Sequence, residues 1–138
     1  MDVTETGKVL AKIQAFDNRN VEPETTLAWH EVLAPHTLPD ALAAVSAYFR
    51  TNTAWIMPAH IVERVRDMEQ ERVRGFKDGL HLNRADEEAT LSGGMNWSES
   101  MRALNRAAAT GALTPAAYTA YQDSDLSLEA VLTRKAIK

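Results

Sequence analysis

Residues 54–74 read AWIMPAHIVERVRDMEQERVR, and this stretch decides the fold class. Trp55, Ile56 and Met57 form a short apolar run too brief to show a period. Pro58 follows with its φ already set for the first turn of a helix. Ile61, Val62, Val65 and Met68 then recur at helical spacing, with Arg64, Arg66, Arg72 and Arg74 between them. The reading is an extended connector pressed onto a core, then a fourth helix from Pro58 past Arg72 toward Phe76.

Upstream, three further helices are spaced to pack against it. Asp2 and Glu5 stand three apart, as a capping box requires, and Val9, Leu10, Ile13 and Phe16 mark one face of a first helix. Asp17, Asn18, Arg19 and Asn20 end it with residues that bond locally to turn backbone. Pro23 and Glu24 open a second helix whose apolar positions are Leu27, Ala28, Val32 and Leu33, with Trp29 its largest group. Thr37 is a good N-cap for a third, carrying Leu42, Val45, Tyr48 and Phe49 among alanines that permit close approach. Trp29 and Trp55 are read as core.

Downstream the period fails. Gly79, the acids Asp86, Glu87 and Glu88, and Ser92, Gly93 and Gly94 suggest a mobile linker over 77–96. Short helices are expected within 97–138, from Trp97, from Pro115 and after Ser127. The expected architecture is therefore all-α: a small four-helix bundle over 3–76, a flexible linker over 77–96 and a partly helical C-terminal segment over 97–138. No strand of useful length can be proposed.

Composition narrows function by exclusion. With 138 residues the prior is one domain with or without a tail. Net charge is −4 and pI near 5.5, which disfavours coating nucleic acid through bulk charge. The chain has no cysteine, so disulfides and thiolate metal sites are excluded. No signal peptide and no apolar run of membrane-spanning length is read, and the expected location is the cytoplasm. No G-x-x-x-x-G-K-[ST] loop occurs, which excludes a P-loop ATPase. There is no G-x-S-x-G elbow, and His30, His36, His60 and His81 lack ligand spacing, so they are read as solvated or capping. The expectation is no enzyme, no cofactor and no metal.

Three sets of residues remain as candidate contacts. Trp97, in polar and glycine-rich surroundings, is read as a partner anchor, with a place in a satellite core as the alternative. The last amphipathic stretch presents Leu128, Val131, Leu132 and Ile137, with Arg134 and Lys135 at its rim, as a helix for a partner's groove. Arg64, Arg66, Arg72 and Arg74 are a face for nucleic acid or a partner, although Glu63, Asp67, Glu69 and Glu71 cancel much of their field. Asp17 and Arg19 are read as flanking a helix C-terminal turn with an ion pair onto a neighbouring helix, rather than as a recognition site.

Four runs carry a family resemblance: VLAKIQAFDNR at 9–19, LAWHEVL at 27–33, DALAAV at 40–45 and WIMPAHI at 55–61. In this order they resemble small proteins of actinobacterial phages and prophages, similar in turn to the phage-type loader and inhibitor of the replicative helicase. The resemblance spans roughly residues 8–74. It implies a compact helical N-terminal domain and a non-hydrolysing adaptor that binds, restrains and loads a hexameric DnaB-type helicase, with an origin-binding protein as a further partner. The alternatives from the residues themselves are a helix-turn-helix-like DNA-binding module, reading with the arginine-bearing helix, and a phage inhibitor of another host protein.

Overall fold

The computed structural model describes the backbone of residues 1–136 and the side chains of residues 1–133. It is all-α: among the described residues there are eight helices and no strand. They fall into two compact units, Met1–Met68 and Glu69–Lys138.

In the first unit, α1 (Val3–Asp17) begins at the expected capping box. The Asp2 carboxylate accepts the Glu5 amide at 2.7 Å, and the Glu5 carboxylate accepts the Asp2 amide at 3.0 Å. Helices α2 (Pro23–Leu33) and α3 (Leu38–Thr51) both open with a proline in the first turn. Helix α4 (Pro58–Arg74) begins in this unit, and the unit boundary falls inside it. One core gathers Val9, Leu10 and Ile13 from α1, Trp29 and Leu33 from α2, Ala41, Ala44, Val45 and Tyr48 from α3, and Ile61 and Val65 from α4. Each large aliphatic side chain so buried contributes about 1.5–3 kcal/mol.

Two faces differ from the spacing. Phe16 is more than half exposed, because the last turn of α1 runs beyond the core. On α2 the buried pair is Trp29 and Leu33, four apart, while Leu27 and Val32 face solvent. The large indole decides which side of that helix turns inward.

The second unit departs furthest from expectation. The segment 77–96 carries α5 (Arg84–Leu91), and it buries Leu80, Asn83 and Asp86. Helices α6 (Trp97–Thr110), α7 (Pro115–Gln122) and α8 (Leu128–Ala136) follow. Their own core contains Phe76, Leu80, Leu104, Leu113, Tyr121 and Leu128. The boundary lies at 68/69 rather than at 76, since Val73 and Phe76 pack with this second core. Gly79 and Gly93, at φ 78° and 81°, make left-handed turns that suit glycine.

A buried polar latch joins three helices of this unit. The Asn83 side-chain oxygen caps α5 by accepting the Asp86 amide at 2.9 Å. Its amide nitrogen donates to the carbonyls of Tyr121, Ser124 and Leu126. The Tyr121 hydroxyl donates to Asp86 Oδ2 at 2.6 Å and accepts the Asn83 amide at 3.0 Å. Asp86 Oδ2 also accepts the Leu128 amide at 3.0 Å, which places a carboxylate at the start of α8. Burial, and then the bond to Asp86, push the Tyr121 hydroxyl far above its usual range.

Candidate functional site

The connector between α3 and α4, residues 52–57, is non-helical, leaves α3 extended at Asn52 and bends at Ala54. Ile56 points in and is fully buried. Trp55 and Met57 point out, 57% and 48% exposed. The connector is held at both ends. The Tyr48 hydroxyl donates to the Ala54 carbonyl at 2.8 Å, and His60 Nδ1 accepts the Met57 amide at 2.8 Å. Trp55, expected in the core, is instead a surface residue, and Ile56 takes the inward place.

Trp55 is not loose, because Arg19 lies against it. The Arg19 guanidinium carbon sits 3.9 Å from the centre of the Trp55 ring and 5.6 Å from that of Trp29. The same guanidinium donates from Nε (2.9 Å) and from a terminal nitrogen (2.7 Å) to Asp17 Oδ2, and the Arg19 amide donates to Oδ1 at 3.1 Å. Asn18, at φ 56°, supplies the left-handed residue that folds Asp17 and Arg19 together. Burial works against the charged carboxylate, but the Arg19 bonds and charge outweigh it and hold Asp17 below its usual range.

The Arg19 side chain is only 6% exposed, so the pair is desolvated as well as clamped. Such a pair is weak evidence for stability, since desolvation offsets its attraction. Its clear effect is geometric. A cation fixed by a carboxylate holds one face of an indole, at about 0.5–2 kcal/mol per cation–π contact, and leaves the other side of the ring outward.

Aromatic contacts continue from this point. Phe16 stacks on Phe49 with centroids 4.6 Å apart, and Phe49 meets Tyr48 edge-on. Tyr48 lies 4.8 Å from the His60 ring. The C-termini of α1 and α3 and the N-terminus of α4 thus form an end of the first unit that exposes Phe16, Trp55 and Met57. Trp, Phe, Met and Arg are the residue types enriched where proteins bind one another.

The candidates named from sequence lie elsewhere. Arg64 donates to the His60 carbonyl at 3.2 Å and stands over the Tyr48 ring. Arg72 donates to the Ala109 carbonyl at 2.9 Å, and Arg74 pairs with Glu71 on the surface. Arg66 is exposed. Three of the four arginines are thus engaged with their own unit, Arg64 and Arg72 through backbone carbonyls and Arg74 through a surface ion pair. Trp97 is 58% exposed at the first position of α6. Leu128 is buried, and Val131 and Leu132 pack against the second core, so the face expected for a partner is turned to its own unit. The side chains of Arg134 and Lys135, and all of Ile137, lie outside the described residues.

Among the described residues no group of three or more His, Asp or Glu is placed to hold a metal ion. No helix among them is long and apolar enough to cross a membrane. The sequence contained the Trp55 signal but hid its direction. The turn at Asp17 and Arg19 was expected, but its ion pair closes between these two residues rather than onto a neighbouring helix, and the stacking of Arg19 on two indoles depends on helix packing. No family model, curated protein or solved structure matches the chain.

Proposed function

We propose that the protein is a non-enzymatic adaptor that docks onto a protein partner through the Trp55 end of its first unit. One observation carries this reading: an indole more than half exposed yet fixed by a buried, carboxylate-clamped arginine. A side chain already ordered in the free protein loses little freedom on binding, so more of its buried area appears as affinity. Met57 and Phe16 widen the apolar surface around it.

The partner we propose is a hexameric DnaB-type replicative helicase, which the adaptor binds, restrains and loads. The support is the resemblance of residues 8–74, whose last run, 55–61, begins in the connector that displays Trp55 and continues into α4. A second, weaker contact fits the α5–α6 region of the other unit, where Leu91, Met95 and Trp97 are exposed. Two linked contacts raise avidity without either being strong.

The test is co-elution of the full chain with a hexameric helicase, together with the helicase ATPase rate. A complex at micromolar concentration with a changed rate supports the reading. No co-elution and an unchanged rate sink it. Steeply salt-dependent binding to duplex DNA without helicase binding would favour the DNA-binding alternative instead.

A further inference from the structure

The second unit contains a cavity of about 520 Å³ lined by residues of α5, α6 and α8 and their flanks. Its size falls in the range of small-molecule sites. Most of its wall is apolar, from Met95, Ala103, Leu128 and Leu132. Asp86, Ser100, Ser127, Glu129 and Thr133 break that wall, and two of these carry the argument. The Ser100 hydroxyl is the buried side-chain atom without a hydrogen-bond partner among the described residues, in a residue 6% exposed. Ser100, with Met95 and Ala103, also lines an adjoining hollow of about 280 Å³, so it stands where two spaces meet. The other group is Asp86, whose Oδ2 accepts both latch bonds while Oδ1 receives none among the described residues. Glu129 adds a second carboxylate to the lining.

A buried hydroxyl without a partner costs free energy until something bonds to it. A carboxylate has acceptor sites for more than two donors. Both needs are met by one head group carrying several N–H donors and a positive charge. The apolar wall asks for a compact hydrocarbon body behind that head. We infer that this cavity is a binding site for a small ammonium ligand on a compact aryl or alkyl body. Its head donates to Asp86 and Ser100, and its body lies against Ala103, Leu128 and Leu132. Met95, unbranched and adaptable, adjusts to the body's shape. The site is separate from the Trp55 end and does not depend on the adaptor reading.

The probe is phenethylammonium, titrated into the full chain by ligand-observed NMR and calorimetry. Phenethyl alcohol and phenylacetate serve as neutral and anionic counterparts. The expected result is binding with Kd below about 1 mM for the ammonium, at least about tenfold weaker binding for the alcohol, and none for the carboxylate. Ala103 is exposed on its helix, so Ala103→Phe fills the cavity without touching the core; it should abolish binding while helical circular dichroism is unchanged. Ser100→Ala should weaken the ammonium about tenfold. The proposal is overturned if the ammonium fails to bind at millimolar concentration. It is equally overturned if all three probes bind alike, or if neither substitution changes the affinity.

Discussion

Tyr121→Phe removes one oxygen from the buried latch of the second unit, and the consequence can be worked from its contacts. The hydroxyl donates to a carboxylate at 2.6 Å and accepts a buried amide at 3.0 Å. Loss of the charge-assisted bond costs about 1.5–3 kcal/mol, and an amide left without a partner costs about 1–3 kcal/mol more. A combined loss of about 3 kcal/mol is expected, since relaxation recovers part of the sum. A unit of roughly seventy residues has a stability of only ~4–10 kcal/mol. The variant should therefore melt about 10–20 °C lower in its second unit. Tyr118→Phe, whose hydroxyl bonds lie in more exposed surroundings, should cost under about 1 kcal/mol.

The same tyrosine sets an alkaline limit. Its folded-state pKa lies above the ordinary 10.0, so the fold favours the neutral hydroxyl. That contribution is fully present below the unfolded value and is lost as pH rises beyond it. Urea unfolding followed from about pH 9 to about pH 11 should show wild type losing stability faster than Tyr121→Phe. A variant within about 0.5 kcal/mol of wild type at neutral pH would refute the latch as a determinant of stability. Parallel pH curves for the two proteins would refute the alkaline reasoning.

Other expectations follow from single contacts. Asp17 titrates below its unfolded value of 3.8, so its contribution is present above that pH and is lost as pH falls through the lower folded value. Acid unfolding of the first unit should be less pH-dependent in Asp17→Asn. Gly111, at φ 83°, ends α6 in the left-handed region, where an added Cβ meets only ordinary contacts with Arg72. Gly111→Ala should cost about 1–2 kcal/mol from backbone strain alone, read by urea unfolding. Residues 91–99 are all exposed, while Leu80 and Asn83 are buried. Limited proteolysis should therefore cut first near Gly93 and Gly94 and spare the chain around Gly79.

The helices of the first unit were legible because their evidence is local. The capping box at Asp2 and Glu5, the proline starts and the stripe of Val9, Leu10 and Ile13 each act within a few residues. The second unit was hidden because its evidence is long-range. Asp86, Glu87 and Glu88 look like a solvated charge run, yet Asp86 is bound by residues 35 and 42 positions away. Leu128 and Val131 looked like an unpartnered stripe because their core, Phe76, Leu104 and Leu113, is scattered along the chain. The Trp55 end falls between these cases. Its residues were singled out, but only packing shows that Ile56 takes the inward place and that Arg19 reaches the indole.

We propose that the fixed indole of the first unit anchors a replicative helicase. The most direct measurement is the affinity of a hexameric DnaB-type helicase for the full chain and for Trp55→Ala, titrated by calorimetry. Trp55 is exposed and contributes little to the core, so the variant should stay folded. Wild type should bind at micromolar Kd or tighter, and the variant at least about thirtyfold more weakly, as removal of a hot-spot side chain requires. Equal affinity of the two proteins, or no binding by either, would rule out Trp55 as the helicase anchor.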